Sequence, residues 1–179
     1  NLVSRTVAMS NKYFGGVLEN AGAKEDVDDD LIATVTGAYE KVRAKINEFK
    51  ISDALSEIFV IFKRANKYID ETMPWALAKD ESKTARLKTV LYNLAESIVI
   101  GTSLLEPFMP DTAAKVTSYF GTTVRDYGRI VRFGGIENGT KVVENPEILF
   151  RRLDVKEVVD KAHEMYEARK KPAAPEVKE

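Results

Sequence analysis

The residues best suited to chemistry lie in residues 72–80, which read TMPWALAKD. Trp75 is the only tryptophan of the chain, and it follows Pro74, which should end a helix and push Met73 toward an extended conformation. Seven cations flank it in sequence: Lys63, Arg64, Lys67, Lys79, Lys83, Arg86 and Lys88. A flat ring among cations suits single-stranded nucleic acid, because bases stack on the ring while cations contact the phosphates. The alternative is that Trp75 packs the junction between two helices, since tryptophans are mostly buried.

Asn1 and Arg5 form a second candidate pair. They are four residues apart, so on a helix they project from one face, and Ala8 and Lys12 continue the row. The row is offset from the apolar residues of the same segment, so we expect it to be exposed. Amide and guanidinium groups are planar hydrogen-bonding groups suited to the edges of bases. A solvated helix face is the alternative.

Motifs for covalent catalysis are absent from the sequence. There is no Gly-rich phosphate loop, no nucleophile elbow and no metal-binding spacing. The chain has no cysteine, which excludes disulfides and thiolate metal sites. Its one histidine, His163, lies among Glu and Lys residues and is expected to be a solvated helix residue. We therefore expect no catalytic residue and no metal site, and a function in binding.

The composition indicates a globular domain with a real core, because 44% of the residues are hydrophobic. A net charge of −1 argues against nonspecific coating of nucleic acid, although a local basic surface is still compatible with it. No apolar run approaches the length of a membrane span, and the start has no signal-peptide pattern. The chain begins within a helical pattern, so we interpret it as part of a longer, cytoplasmic protein.

Apolar periodicity predicts an all-α helix bundle. Helices are expected over about residues 2–18, 31–49, 52–69, 82–105, 111–120 and 154–170. Ser52, Asp111 and Asp154 are their predicted caps. Residues 121–150 should be irregular, with a hairpin signal at Asn138-Gly139. We assign residues 1–170 to one domain and residues 171–179 to a linker toward a further domain, with a frayed terminus as the alternative.

Four stretches of the chain, taken in order, resemble a known family. They are NLVSR at residues 1–5, ANKYIDE at 65–71, PWALAK at 74–79 and LFRRLD at 149–154. Together they resemble the anticodon-binding domain of methionyl-tRNA synthetases, which are class I aminoacyl-tRNA synthetases, and the resemblance extends to about Lys170. Arg151 departs from the pattern, because proline is common there in the family.

This resemblance implies the class Ia anticodon-binding helix bundle. It implies that Asn1, Arg5 and Trp75 contact the CAU anticodon of methionine tRNA, with the tryptophan stacked on the wobble cytosine. Pro74 and Lys79 would support that site. The catalytic domain, which in the family attaches methionine to its tRNA using ATP with magnesium, would be a separate part of the protein, so this chain alone should be inactive and hold no cofactor.

Asn66 and Asp70 share a helix face just before the tryptophan. We expect Asn66 to support the site, by orienting Arg5 or capping the turn at Pro74. Asp70 is left open between such support and repulsion of a wrongly shaped anticodon loop. Tyr68 is expected in the core.

Two other functions are compatible with these residues. The chain could be the matching domain of a leucyl-, isoleucyl-, valyl- or cysteinyl-tRNA synthetase, although the combination of Asn1, Arg5 and Trp75 argues against this. It could also be a helical protein-interaction module, which would bury Trp75 or use it as a hydrophobic anchor.

Overall fold

The computed structural model describes residues 1–150 and 153–170 and confirms the all-α prediction. In chain order its helices are α1 (Leu2–Phe14), α2 (Asp26–Thr36), α3 (Ala38–Asn47), α4 (Ile51–Thr72), α5 (Pro74–Leu77), α6 (Thr84–Leu105), α7 (Pro110–Tyr119), α8 (Tyr127–Ile130) and α9 (Val155–Lys170). A 3-10 turn, Glu81–Lys83, precedes α6. The described residues contain an isolated antiparallel bridge between Val17 and Lys141 but no strand.

Helix α6 is the centre of the bundle. All of its residues except Thr84, Ala85 and Lys88 are buried, as expected of a helix that is surrounded by others. Helices α1, α2, α4, α5, α7 and α8 pack against it, while α3 packs on α4. Gly101 permits the close approach of α4, because a Cβ there would lie only 3.0 Å from Cε1 of Phe62. The short helix that carries Trp75 therefore packs against the buried central helix of the bundle.

The helix predicted over residues 31–49 is wrong, because two helices occupy that stretch. Helix α2 ends at Thr36 and α3 begins at Ala38, with Gly37 between them. Glycine weakens a helix because it has the most backbone freedom to lose on folding. The apolar spacing continues across the break, so periodicity alone could not detect it.

Two of the three predicted caps are also wrong. Helix α4 begins at Ile51, one residue before Ser52. Helix α7 begins at Pro110, which has no backbone N–H and therefore needs no hydrogen-bond acceptor at this position. Asp111 lies in the first turn of α7. The third is confirmed, since Oδ1 of Asp154 accepts hydrogen bonds from the backbone N–H groups of Lys156 (2.8 Å) and Glu157 (3.2 Å).

The segment after α7 is irregular, as predicted, apart from the single turn of α8. It is attached to α6 through the buried carboxylate of Glu96. Arg125 donates to that carboxylate from Nη1 (2.5 Å) and Nη2 (2.8 Å). The backbone N–H groups of Gly134, Gly135 and Ile136 donate to it as well, at 2.8, 2.7 and 3.1 Å. One acidic side chain thus fixes the path of this loop.

The predicted hairpin at Asn138-Gly139 does not form. Gly139 N–H instead donates to the carbonyl oxygen of Leu18 (2.9 Å), and Leu18 N–H donates to that of Thr140 (2.8 Å). The segment therefore pairs with the residues that follow α1.

The described chain divides into two compact units, Asn1–Pro146 and the residues from Glu147 onward. Helix α9 belongs to the second unit, and His163 is exposed on it, as predicted. The linker expected at residues 171–179 and Arg151 lie outside the described residues. None of the described helices combines the length and apolarity that crossing a membrane requires.

Candidate nucleic-acid interface

The turn at Met73 joins α4 directly to α5. Met73 is the only residue between the two helices, and its backbone lies in the left-handed region at φ 44° and ψ 65°. The prediction of an extended conformation is therefore wrong. The reason is local hydrogen bonding: Met73 N–H donates to Ile69 O (2.9 Å), and Met73 O accepts from the N–H groups of Ala76 (2.8 Å) and Leu77 (3.2 Å). These bonds outweigh the ordinary preference of a residue before proline.

Trp75 is partly exposed in the first turn of α5. Its relative exposure is 42%, whereas the neighbouring Pro74 is buried. Within the described residues the ring stacks on no other aromatic side chain, and the indole N–H donates to no acceptor. Trp75 is therefore not a buried plug, and part of its ring faces solvent.

Asn1 and Arg5 lie at the start of α1, and both side chains are exposed. The backbone joins them, because Arg5 N–H donates to Asn1 O (2.9 Å). Ala8 and Lys12 continue the exposed row, while the buried face of α1 carries Leu2, Thr6, Val7 and Ser10. The predicted exposed row is confirmed. Neither the Asn1 amide nor the Arg5 guanidinium has a hydrogen-bond partner in the described part of the chain.

Four of the seven cations near Trp75 in sequence pair with carboxylates, and three of these four are buried or half-buried. Arg64 is buried and donates from Nε to Asp30 (2.5 Å) and from Nη1 to Glu71 (2.8 Å). Nζ of Lys88 lies 2.6 Å from Oε2 of Glu19. The third is Arg86, which is held by a buried acid. The interpretation of these three as part of a phosphate-binding surface is therefore wrong.

Arg86 belongs to a buried polar cluster around Asp28. Its Nη1 and Nη2 donate to the two oxygens of Asp28, at 2.6 and 2.8 Å. Tyr68 OH also donates to Asp28 (2.6 Å), and Asn93 Nδ2 donates to Tyr68 OH (3.2 Å). Tyr68 is fully buried, as predicted. The cluster joins α2, α4 and α6.

The charges of this cluster are set by burial and hydrogen bonding. Burial alone would raise the pKa of Asp28, but hydrogen bonds from Arg86 and Tyr68 outweigh it and hold that pKa below its ordinary value. Burial and the hydrogen bond to Asp28 raise the pKa of Tyr68. Asp28 lies in the first turn of α2. Local sequence patterns could not reveal its ion pair, because Arg86 is 58 positions away.

Three lysines remain exposed and unpaired among the described residues: Lys63, Lys79 and Lys83. Two of them, Lys79 and Lys83, lie in the connection between α4 and α6 that also carries Trp75. Lys67 is exposed too, but its Nζ lies 3.3 Å from Glu71. Of the cations near the tryptophan in sequence, only lysines are therefore free to contact RNA phosphates in the described residues, because both arginines are buried and paired with acids.

Asn66 and Asp70 are both exposed on α4. Nδ2 of Asn66 donates to the carbonyl oxygen of Phe62 (2.9 Å), within its own helix. In this structure the amide therefore reaches neither Arg5 nor the turn at Pro74. Asp70 makes no hydrogen bond or ion pair through its side chain in the described residues, so its role stays open.

Comparison with protein families places most of the chain in one family model. The model is described as the anticodon binding domain of methionyl tRNA ligase, and it matches residues 18–171. The match contains Trp75 and the whole connection from α4 to α6. Asn1 and Arg5 precede it.

Individual relatives agree with this match. The methionine–tRNA ligase of Clostridium perfringens is 43% identical over 179 residues, which is 100% of this chain and 28% of the relative. The apo structure of Mycobacterium tuberculosis methionyl-tRNA synthetase superposes with a TM-score of 0.79 at 30% identity, covering 86% of this chain and 32% of that one. The same enzyme bound by methionyl-adenylate gives a TM-score of 0.75 at 31% identity, covering 81% and 29%.

These similarities confirm the predicted anticodon-binding helix bundle. They also show that the chain spans about 28% of the length of the Clostridium perfringens relative.

Proposed function

Because the chain belongs to the family of methionyl-tRNA ligase anticodon-binding domains, we propose that it reads the CAU anticodon of methionine tRNA through Trp75, Arg5 and Asn1. The observation that carries this proposal is the unpartnered, partly exposed ring of Trp75 in the turn after Pro74. Its mechanism is binding: the domain fixes the tRNA so that the acceptor end reaches a distant catalytic domain.

Trp75 would stack on the wobble cytosine. Anticodon bases are unstacked loop bases, which proteins recognise by aromatic stacking and by hydrogen bonds to base edges. The backbone that carries the ring is anchored, because Pro74 is buried and α5 packs on α6. Little backbone freedom is then left to lose on binding, which favours affinity.

Arg5 and Asn1 would supply the hydrogen bonds. Their side chains are exposed and unpartnered in the described residues, so no existing bond must break before they contact RNA. Lys79 would contribute charge near the phosphates, and Pro74 would fix the backbone before the tryptophan.

The rest of the reaction belongs to the parent protein. We propose that this parent attaches methionine to its tRNA in the cytoplasm, using ATP with magnesium in a catalytic domain that contacts this one. The related Mycobacterium tuberculosis enzyme bound by methionyl-adenylate supports that proposal. The residues of this chain supply no catalytic group.

The test is the affinity of Trp75→Ala for an anticodon stem-loop that carries CAU. Loss of one base stack should weaken binding by about 1–3 kcal/mol. Phe49→Ala is the matched control, since Phe49 is an aromatic residue that is 90% exposed but lies in the turn between α3 and α4. Equal affinities for the wild type and Trp75→Ala would remove Trp75 from the site. A chain without salt-dependent RNA binding would indicate a protein-interaction module.

A further inference from the structure

We propose that Met73 is a positioning residue, whose left-handed backbone conformation sets the direction of α5 and so presents the ring of Trp75 to RNA. This inference rests on the proposed function of Trp75. It concerns the backbone of Met73 and not a contact of its side chain.

The conformation of Met73 is unusual for its residue type and for its place in the sequence. Met73 and Phe49 are the non-glycine residues with positive φ in the described part of the chain, at 44° and 58°. A residue before proline is normally extended, because the proline ring clashes with other conformations. Such strained residues persist only where their surroundings hold them, and they are concentrated at functional sites.

The neighbours of Met73 hold it from both sides. Met73 N–H donates to Ile69 O at the end of α4, and Met73 O accepts hydrogen bonds from the N–H groups of Ala76 and Leu77 in α5. One residue therefore ends one helix and begins the next. A change of its φ and ψ would break bonds in both helices.

Few other torsions can set the direction of α5. Thr72 is buried, and its Oγ1 donates to Tyr68 O (2.7 Å), so the end of α4 is fixed. Pro74 is buried and its ring fixes φ. The Met73 side chain is 47% exposed, so packing does not explain why its backbone is held in this conformation. What the left-handed turn does is place Trp75 where its ring is partly exposed.

Three variants of the full 179-residue chain test this proposal by stem-loop affinity. Met73→Val should weaken binding roughly 5- to 150-fold, the equivalent of one base stack, because β-branched residues strongly disfavour left-handed backbone. Met73→Gly should bind within about twofold of the wild type, because glycine adopts this conformation without strain. Phe49→Val, at the other left-handed position, is the control. It should lower the melting temperature without changing affinity.

Two results would overturn the proposal. If Met73→Gly loses as much affinity as Met73→Val, the side chain matters and the backbone does not. If Met73→Val folds and binds like the wild type, the conformation does not position Trp75. Where the valine variant does not fold, a loss of affinity in Met73→Gly still overturns the proposal, because glycine can keep the backbone conformation.

Failure of the proposed function can be distinguished from failure of this inference. Acrylamide quenching of Trp75 fluorescence reports the exposure of the ring without RNA. Met73→Val should alter this quenching, whereas Met73→Gly and Phe49→Val should not. That pattern, combined with an unchanged affinity of Trp75→Ala, would retain the positioning role of Met73 and reject the RNA contact. Unaltered quenching in Met73→Val would reject the positioning role itself.

Discussion

Arg86 donates two parallel hydrogen bonds to the carboxylate of Asp28, from Nη1 to Oδ2 at 2.6 Å and from Nη2 to Oδ1 at 2.8 Å. Both side chains are buried. The pair links the first turn of α2 to α6. Tyr68 of α4 joins the same cluster, because its hydroxyl donates a hydrogen bond to Asp28. An arginine only eleven positions after Trp75 in sequence thus serves the fold rather than an RNA surface.

Removing one partner of this pair should be strongly destabilising. Asp28→Ala removes the buried counter-charge of Arg86 and leaves only the exposed carboxylate of Glu25, whose Oε2 lies 3.2 Å from Nε. We expect the free energy of unfolding in urea to fall by about 3–5 kcal/mol. Asp29→Ala is the matched control on the same helix, because Asp29 makes an exposed ion pair with Lys24. The free energy of unfolding of Asp29→Ala should fall by only about 0–1 kcal/mol. Similar losses in the two variants would contradict the role assigned to Asp28.

The same carboxylate should make stability depend on pH in the acid range. The pKa of Asp28 in the folded chain lies below its ordinary value of 3.8, so the folded state binds this proton less readily than the unfolded state does. Its contribution to stability is present above pH 3.8 and is lost as the pH falls through the lower, folded-state pKa. Melting temperatures measured down this range should fall more steeply for the wild type than for Asp28→Asn. An equally steep fall in Asp28→Asn, with Asp29→Asn as control, would contradict this account.

Lys79 should contribute to RNA binding through its charge alone. It is exposed and unpaired in the described residues, and a phosphate contact by Lys79 would release a counterion. In Lys79→Ala, affinity should depend less on salt. The magnitude of the slope of log affinity against log salt should decrease by about 0.7, the value for one phosphate contact with a single strand. Lys88→Ala is the control, because Lys88 is paired with Glu19, and its slope should not change. A slope unaffected in Lys79→Ala would place Lys79 outside the interface.

Arg5→Ala separates base recognition from phosphate contact. If Arg5 binds a base edge, the variant should lose discrimination between anticodons at one position, with a cost of about 1–3 kcal/mol against the cognate loop. A uniform loss on all loops would instead indicate a phosphate contact. Affinity is measured for a CAU stem-loop and for loops with single base changes. Undiminished binding to every loop would exclude Arg5 from the site.

Local sequence correctly predicted those features that depend only on residues within one helix. The exposed row of Asn1 and Arg5 follows from the helical period, and the cap at Asp154 follows from residue type at a helix start. The all-α fold follows from the same periodicity. In each case the determining residues lie within a few positions of one another.

Local sequence could not predict the structure where residues far apart in the chain, or competing hydrogen bonds, determine it. Asp30, which pairs with Arg64 from another helix, and Asp28, which pairs with Arg86, lie 34 and 58 positions away, so local spacing could not identify these arginines as buried. At Met73 the rule for a residue before proline is correct in general, but three backbone hydrogen bonds overrule it. At Gly37 the apolar period continues while the helix breaks.

The central claim is that Trp75 stacks on the wobble base, and its fluorescence tests this most directly. The chain has one tryptophan, so the signal has a single source. The chain is titrated with a CAU stem-loop and, separately, with a loop whose first anticodon base is changed. The account predicts strong quenching by CAU and much weaker quenching by the changed loop. Emission that responds to neither RNA would contradict it.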